Sequence, residues 1–164
     1  MKERRSKPKS SARSYALWLL GRQPYTAAKL RERLLRRGYD EAETGDAVNY
    51  LLEIGYLDDS LYATNFVSSR ALAGHGPRKL RWELRNRGVA ADVIDEAISQ
   101  VPQETLAERA EQLAFRRLRG KDLRDPKVIS SVYRHLLQRG YDYDLVEEAV
   151  QKARHHLDRD ELNS

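Results

Sequence analysis

Apolar residues recur three or four positions apart through most of the chain, and short polar breaks containing glycine or proline separate the runs. This spacing places the apolar side chains on one face of a helix. No segment is a convincing strand. The pattern therefore predicts nine helices, with approximate bounds of 11–20, 27–37, 41–53, 57–72, 77–87, 92–100, 104–119, 127–139 and 144–156.

One of these helices occurs three times with the same ending. In each copy an arginine comes directly before a glycine, a leucine lies four residues before it, and a leucine or valine lies eight before it. An alanine followed by valine or isoleucine stands nine and ten residues after each glycine. We call each copy a cassette helix and its glycine (Gly38, Gly88 or Gly140) the corner glycine. A period of roughly 50 residues repeated three times is typical of a modular array.

The corner glycine predicts how each copy folds. A glycine closes a helix in the left-handed conformation at the least cost, and the apolar residue after it packs back over the last turn. That residue is Tyr39, Val89 or Tyr141. Each unit is then a cassette helix, a glycine corner and a second helix, covered by one further helix. The fold class predicted is all-α, with three tandem three-helix repeats, helix-turn-helix-like, stacked into an elongated, curved array.

The same pattern sets the predicted domain bounds. The three repeats occupy 11–55, 56–102 and 103–157. Residues 1–10 are polar, basic and interrupted by proline, so we expect a disordered tail. A short C-terminal tail covers 158–164.

Charge is distributed unevenly along the 164 residues, of which 34% are charged and 40% apolar. Residues 1–13 carry six basic residues and one acid, a balance of +5 that equals the net charge of the whole chain. The rest is neutral overall but alternates in sign. Segments 29–37 and 78–87 each hold five basic residues and one acid, whereas 40–59 holds seven acids and no Lys or Arg. The first two cassette helices are therefore basic.

Candidate catalytic chemistry is weak. There are no cysteines, and the four histidines do not have zinc-ligand spacing, so we expect no metal, no cofactor and no enzyme. Asp58 and Asp59 are interpreted as helix caps. The loop at 74–79 is interpreted as a hinge; the alternative is a helix N-terminus that holds a phosphate or carboxylate. No apolar run reaches 18 residues and no signal peptide is evident, which predicts a soluble cytoplasmic protein without a membrane span.

The chain also resembles a known family, RecX, the regulators of the RecA recombinase. Residues 25–30 (YTAAKL), followed by Leu34 and 37–39 (RGY), resemble its first motif. Residues 55–59 (GYLDD), with 62–63, 66–67 and Arg70, resemble its most diagnostic motif, and 76–80 (GPRKL) the next. The similarity covers about residues 12–155. It departs from the pattern at Pro24, where a polar residue is more usual, and in the third unit, which matches loosely.

The resemblance implies a right-handed array of three-helix repeats that binds the RecA–DNA filament in its helical groove. Such a protein inhibits recombinase, ATPase and co-protease activities, and so damps recombination and the SOS response. Direct binding to single- and double-stranded DNA is implied as a secondary activity. We expect a monomer.

The basic cassette helices supply the candidate contacts. Equivalent cations at a fixed pitch suit a repeating anionic partner, and aromatic residues lie nearby for stacking. Charge and position, not the family motifs, select the candidates Lys29, Arg31, Arg36, Arg78, Lys79, Arg81, Arg85, Arg116 and Arg117. Three alternatives remain: a solvated charged face, a stand-alone DNA-binding or architectural protein, and a purely structural adaptor.

Overall fold

The computed structural model describes residues 9–162, with side chains as far as Arg159. This part of the chain is all-helical, with nine helices and no strand, which confirms the predicted all-α class. The helices are α1 (Ala12–Leu20), α2 (Ala27–Arg37), α3 (Glu41–Glu53), α4 (Asp59–Leu72), α5 (Pro77–Asn86), α6 (Ala91–Ser99), α7 (Gln103–Leu118), α8 (Pro126–Gln138) and α9 (Tyr143–Leu162).

Most helix ends lie within one or two residues of the prediction, and the largest difference is in α9. This helix continues to Leu162, whereas the sequence predicts an end near His156. Val150, Ala153 and Leu157 are all buried, so the apolar stripe extends past the predicted end. The disordered tail predicted for 1–10 falls mostly on residues 1–8, which lie outside the described residues, as do Asn163 and Ser164.

The chain divides into two compact units. Unit 1 comprises Met1–Ala63 and Leu84–Ile94, and unit 2 comprises Thr64–Glu83 and Asp95–Ser164. Helices α4, α5 and α6 each contribute residues to both.

The core of unit 1 lies where α1, α2 and α3 pack together. Leu30 and Leu34 of the first cassette helix are fully buried, as the spacing predicts. Thr26 caps α2, since its hydroxyl accepts a hydrogen bond from the Lys29 amide. Gly38 then ends α2 with a φ of 110°, and Tyr39 is buried against the core. Local sequence signals thus define the first cassette from end to end.

Unit 2 has its core among α7, α8 and α9, with α7 and α9 the most closely packed pair. The third cassette helix buries Val132 and Leu136 in this core, and its corner residue Tyr141 is completely buried. Pro126 opens α8 at a position where its missing N–H costs nothing. The loosest of the three copies in sequence therefore keeps the same apolar stripe in the structure.

In unit 1, the corner of the second cassette contacts the N-terminus of the first cassette helix. The Thr26 hydroxyl donates a 2.6 Å hydrogen bond to the Arg87 carbonyl while it caps α2. Gly88 has a φ of +76°, and a Cβ built on it would overlap the Cβ of Ala28. Only glycine allows this approach.

In unit 2, the corner of the third cassette makes the corresponding contact with the second. The Gly76 amide donates to the Arg139 carbonyl (2.8 Å), and the Arg78 amide donates to the Gly140 carbonyl (3.0 Å). A Cβ on Gly76 would overlap the backbone of Gly140, and a Cβ on Gly140 would overlap the backbone of Lys79. Two glycines are needed because two backbone segments meet directly.

These two contacts, which we call corner junctions, join equivalent positions of the repeat. Thr26 and Gly76 each stand twelve residues before their own corner glycine, and Arg87 and Arg139 each come directly before theirs. The sequence repeat therefore describes the contacts between consecutive cassettes as well as the helices. In each junction the carbonyl before a corner glycine accepts a hydrogen bond at the start of the preceding cassette helix.

The tyrosines that follow the first and third corner glycines differ in their hydroxyl partners. Tyr39 donates a 2.9 Å hydrogen bond to the Ser10 carbonyl. The Tyr141 hydroxyl is buried without a hydrogen-bond partner among the described residues. Burial raises the pKa of Tyr141 to about 12.

Gly76→Ala should destabilise the protein by about 1–3 kcal/mol, because the new Cβ forces the backbone of the third corner to move. The helical control Gly45→Ala, in α3, has only ordinary contacts and should stabilise by roughly 0.5–1 kcal/mol. Urea unfolding followed by circular dichroism measures both. Equal unfolding free energies for the two variants would contradict the close approach at Gly76.

Tyr39→Phe should lower the free energy of unfolding by about 1 kcal/mol, since it removes a satisfied hydrogen bond. Tyr141→Phe should leave stability unchanged or raise it, since it removes a buried hydroxyl without a partner. The same urea titration compares the two variants. A larger loss for Tyr141→Phe than for Tyr39→Phe would show that the Tyr141 hydroxyl has a partner in solution.

Candidate functional site

Unit 1 contains a polar groove of about 600 Å³ next to the first cassette helix. The part of the chain that the structure describes gives its walls four cations, two tyrosines and a single acid, Glu32. The lining residues are Gln23, Pro24, Tyr25, Thr26, Lys29, Glu32, Arg33, Arg36, Tyr62, Asn86 and Arg87. We call this the basic groove. Such a combination of cations and aromatic rings suits a partner that carries phosphate groups.

Helix geometry places three of the cations. Lys29, Arg33 and Arg36 are four and three residues apart, so they lie on one face of α2. The fourth, Arg87, is brought to the groove by the corner junction, in which its carbonyl accepts the Thr26 hydrogen bond. The candidate set chosen from sequence omits Arg33 and Arg87. The four-and-three spacing was a signal for Arg33, but no local pattern points to Arg87.

Glu32 moderates the charge of the basic groove. Its carboxylate accepts a 2.8 Å hydrogen bond from Lys29 Nζ and also pairs with Arg36. The hydrogen bond from Lys29 is the largest cause of a lowered pKa at Glu32, and Arg36 adds to the effect. The acid is therefore ionised at neutral pH. Arg33 is exposed and forms no ion pair with any described residue, unlike Lys29 and Arg36.

Arg31 lies on the other side of α2 from the basic groove. It is two residues from Lys29, about 200° around a helix with 3.6 residues per turn. There it forms an ion pair with Glu41 at the start of α3. The structure thus separates Arg31 from Lys29 and Arg36, with which the sequence had grouped it.

The candidates on α5 differ in environment. Arg78, Arg81 and Arg85 are three and four residues apart on one face of the helix, beside Trp82, which is 64% exposed. Arg81 forms an ion pair with Asp95 at 3.0 Å, whereas Arg78 and Arg85 have no acidic partner among the described residues. Lys79 is half-buried, and its backbone lies against Gly140 in the corner junction.

Arg116 and Arg117 are exposed in the last turn of α7, where cations favourably oppose the helix dipole. Arg116 borders a small pocket with Phe115 and His156. Arg117 lies close enough to His135 to contribute to its lowered pKa, although burial is the larger cause. A role in stabilising α7 accounts for both arginines without a ligand.

The loop at 74–77 does not offer free amides to an anion. The amides of Gly76 and Arg78 already donate to the carbonyls of the third corner. This favours the structural interpretation of the loop over a phosphate site. Asp58 and Asp59 are likewise caps, since Asp58 accepts from the Leu61 amide (2.9 Å) and Asp59 from the Ala27 amide of α2 (2.8 Å).

His75, in the same loop, is mostly buried, and its Nδ1 lies 3.7 Å from Glu83 Oε1. Burial is the main cause of its lowered pKa. The cations Lys79, Arg70 and Arg139 lower the pKa further, and Glu83 opposes them. The neutral form of His75 is therefore favoured in the folded protein.

Across residues 9–159, no group of three or more His, Cys, Asp or Glu side chains is arranged to hold a metal ion. None of the helices in the described range is long and apolar enough to cross a membrane.

Comparison with known proteins matches the chain domain by domain. Models of the first, second and third RecX three-helix domains match residues 12–51, 58–98 and 104–150. A Regulatory protein RecX of Vibrio parahaemolyticus is 35% identical over 150 residues, 92% of this chain and 96% of that protein. One from Clostridium botulinum strain Alaska E43 is 35% identical over 144 residues, 86% of this chain and 68% of that protein.

Solved structures agree on the fold. The crystal structure of RecX from Lactobacillus salivarius has a TM-score of 0.79 at 19% identity, covering 87% of this chain and 94% of that one. A second crystal structure, of a regulatory protein RecX, has a TM-score of 0.75 at 26% identity, covering 86% and 70%. At 19% identity, the comparison with the Lactobacillus salivarius structure shows a shared fold and nothing more.

The lowered pKa values of His75 and His135 predict a pH dependence of stability. Both folded pKa values lie below the ordinary value of 6.5, so the unfolded chain binds more protons in this range. The free energy of unfolding should therefore decrease as the pH falls through 6.5 towards 5. His75→Gln should flatten this slope, while His155→Gln, at an exposed position in α9, should not. Urea titrations between pH 5 and 8 give the slopes; an unchanged slope in His75→Gln would refute the assignment.

Proposed function

The chain belongs to the RecX family of regulatory proteins, and from this membership we propose that it binds the RecA–DNA filament and restrains RecA. The supporting observation is the match of all three RecX domains in order along the chain. The relatives are named as regulatory proteins. In this proposal the protein lowers RecA ATPase, recombinase and co-protease activities, and so damps recombination and the SOS response.

The physical basis of the proposal is repetition. A filament presents the same protein surface and the same phosphate spacing many times, and the chain carries related cassette helices at regular intervals. Contacts that are weak singly become strong together when one molecule makes several at once. Binding in the helical groove of the filament would give each cassette helix a partner. A monomer in the cytoplasm is sufficient for this mode of action.

The basic groove is the best supported contact for the polyanionic part of the filament. Among the described residues its four cations exceed its one acid, and Arg33 has no ion pair with any of them to break on binding. Lys29 and Arg36 of the original candidate set belong to it, and Arg33 and Arg87 join them. Arg78 and Arg85 remain candidates on α5 because they are exposed and lack an acidic partner in the described range.

A stand-alone DNA-binding or architectural function is the second candidate. The basic groove favours it as well, because Tyr25 and Tyr62 stand among the cations and aromatic rings stack on unpaired bases. The two functions differ in their dependence on RecA. The first requires an effect on the filament, and the second only salt-sensitive binding to bare DNA.

Adding the protein at micromolar concentration to RecA on single-stranded DNA should suppress ATP hydrolysis. Arg33→Glu should raise the half-inhibitory concentration roughly tenfold, because it reverses a cation in the basic groove. Arg124→Glu is the matched control, since it makes the same charge change at an exposed loop position and should behave as the wild type. A steady-state ATPase assay measures all three proteins.

Unaltered turnover with the wild-type protein would contradict the proposed function. If bare-DNA binding were nevertheless tight and salt-sensitive, the architectural alternative would be favoured. Equal inhibition by wild type and Arg33→Glu would leave the function in place but remove the basic groove from it.

A further inference from the structure

Among the positions at which the third cassette differs from the first, one pair forms a contact in both. Seven residues before and three after the corner glycine, the first cassette has Arg31 and Glu41, and the third has Tyr133 and Tyr143. Arg31 and Glu41 form an ion pair. The rings of Tyr133 and Tyr143 pack with their centroids 5.9 Å apart and their planes at 46°. An aromatic pair therefore replaces a charged pair at the same place in the repeat.

The aromatic pair forms one wall of a groove in unit 2. The groove has a volume of about 780 Å³ and is lined by Ile129, Ser130, Tyr133, Arg134, Leu137, Gln138 and Tyr143. Leu137 is 38% exposed and Tyr143 is 57% exposed, so apolar surface is open to solvent here. We call this the aromatic groove. Its described lining residues belong to α8 and to the first turn of α9.

Charge distinguishes the two grooves. Of the residues that the structure describes, four cations and one acid line the basic groove, whereas Arg134 is the only charged residue that lines the aromatic groove. Burial is the main cause of a raised pKa at Tyr133, and Glu147 adds to it, so the phenol is neutral at physiological pH. A nucleic-acid backbone bound here would contact one cation, and its charged phosphates would lie against exposed leucine and tyrosine side chains. The aromatic groove suits protein better than phosphate.

The size of the aromatic groove and its single cation indicate which kind of protein segment fits it. A groove along one side of a 13-residue helix accommodates the apolar face of a second helix, which is a common mode of peptide recognition. Arg134 at its edge matches an acidic residue beside that apolar face. Tyrosine and arginine are also the residue types that contribute most at protein interfaces.

We propose that the aromatic groove docks an amphipathic helix of the recombinase subunit, with apolar side chains against Leu137 and the tyrosine pair and an acid at Arg134. The third domain then contacts protein, whereas the basic groove of unit 1 contacts the phosphate backbone. This inference rests on the proposed function, which supplies the partner. It assigns to the third domain, the loosest match in sequence, a binding chemistry of its own.

Leu137→Glu tests the assignment, because it introduces an unpaired acid into the apolar contact. It should raise the half-inhibitory concentration for RecA ATPase about tenfold or more and leave the Kd for bare single-stranded DNA within about twofold. The matched control is Leu72→Glu, an exposed leucine of α4 that lies outside the groove and also belongs to unit 2. Circular dichroism checks that each variant is folded.

The outcomes separate the inference from the function on which it rests. If the wild type inhibits RecA and Leu137→Glu inhibits equally well, the docking proposal is overturned and the function stands. An equal loss of bare-DNA binding in Leu137→Glu would assign the groove to nucleic acid and also overturn it. If sedimentation shows a wild-type dimer that Leu137→Glu dissociates without loss of inhibition, the occupant is a second copy and the proposal fails. If the wild type had no effect on RecA, the proposed function and the docking proposal would both be wrong.

Discussion

The contact between consecutive cassettes depends on one hydrogen bond, which the carbonyl of the arginine before a corner glycine accepts. The first turn of a helix has N–H groups without intrahelical acceptors, and the end of a helix has carbonyls without donors. In each corner junction, a carbonyl at the end of one cassette helix accepts a hydrogen bond from a donor at the start of the preceding cassette helix. The Gly76 amide donates directly to Arg139, whereas Thr26 donates to Arg87 through its hydroxyl and caps its own helix as well. The arginine carbonyl is thus satisfied in both junctions, by a backbone amide in one and by a side-chain hydroxyl in the other.

This constraint explains the chemistry of the repeat. A corner glycine has to adopt a positive φ inside its own cassette, and at Gly88 and Gly140 it must also admit the preceding cassette helix at backbone distance. The same junction places Arg87 in the wall of the basic groove, far in sequence from Lys29 and Arg33. The candidate binding surface of unit 1 is therefore a product of how two cassettes join. A change that loosens the junction would alter the groove without touching any of its cations.

Local features of the fold could be predicted from the sequence, because local signals determine them. The apolar stripes, the Thr26 cap and the left-handed Gly38 all depend on residues within one or two turns of each other. The extent of α9 was missed, since the burial of Leu157 arises from packing among the helices of unit 2. The candidate site was predicted less completely for the same reason. Net charge identified α2, but only the structure shows that Arg31 pairs with Glu41 and that Arg87 reaches the groove.

An electron cryomicroscopy map of the protein bound to a RecA–DNA filament tests the central claim most directly. The account predicts that the basic groove beside α2 lies against the phosphate backbone, with Arg33 and Arg87 in contact with it, and that α8 lies against a RecA subunit. A map in which α2 faces solvent while another surface holds the DNA would contradict it.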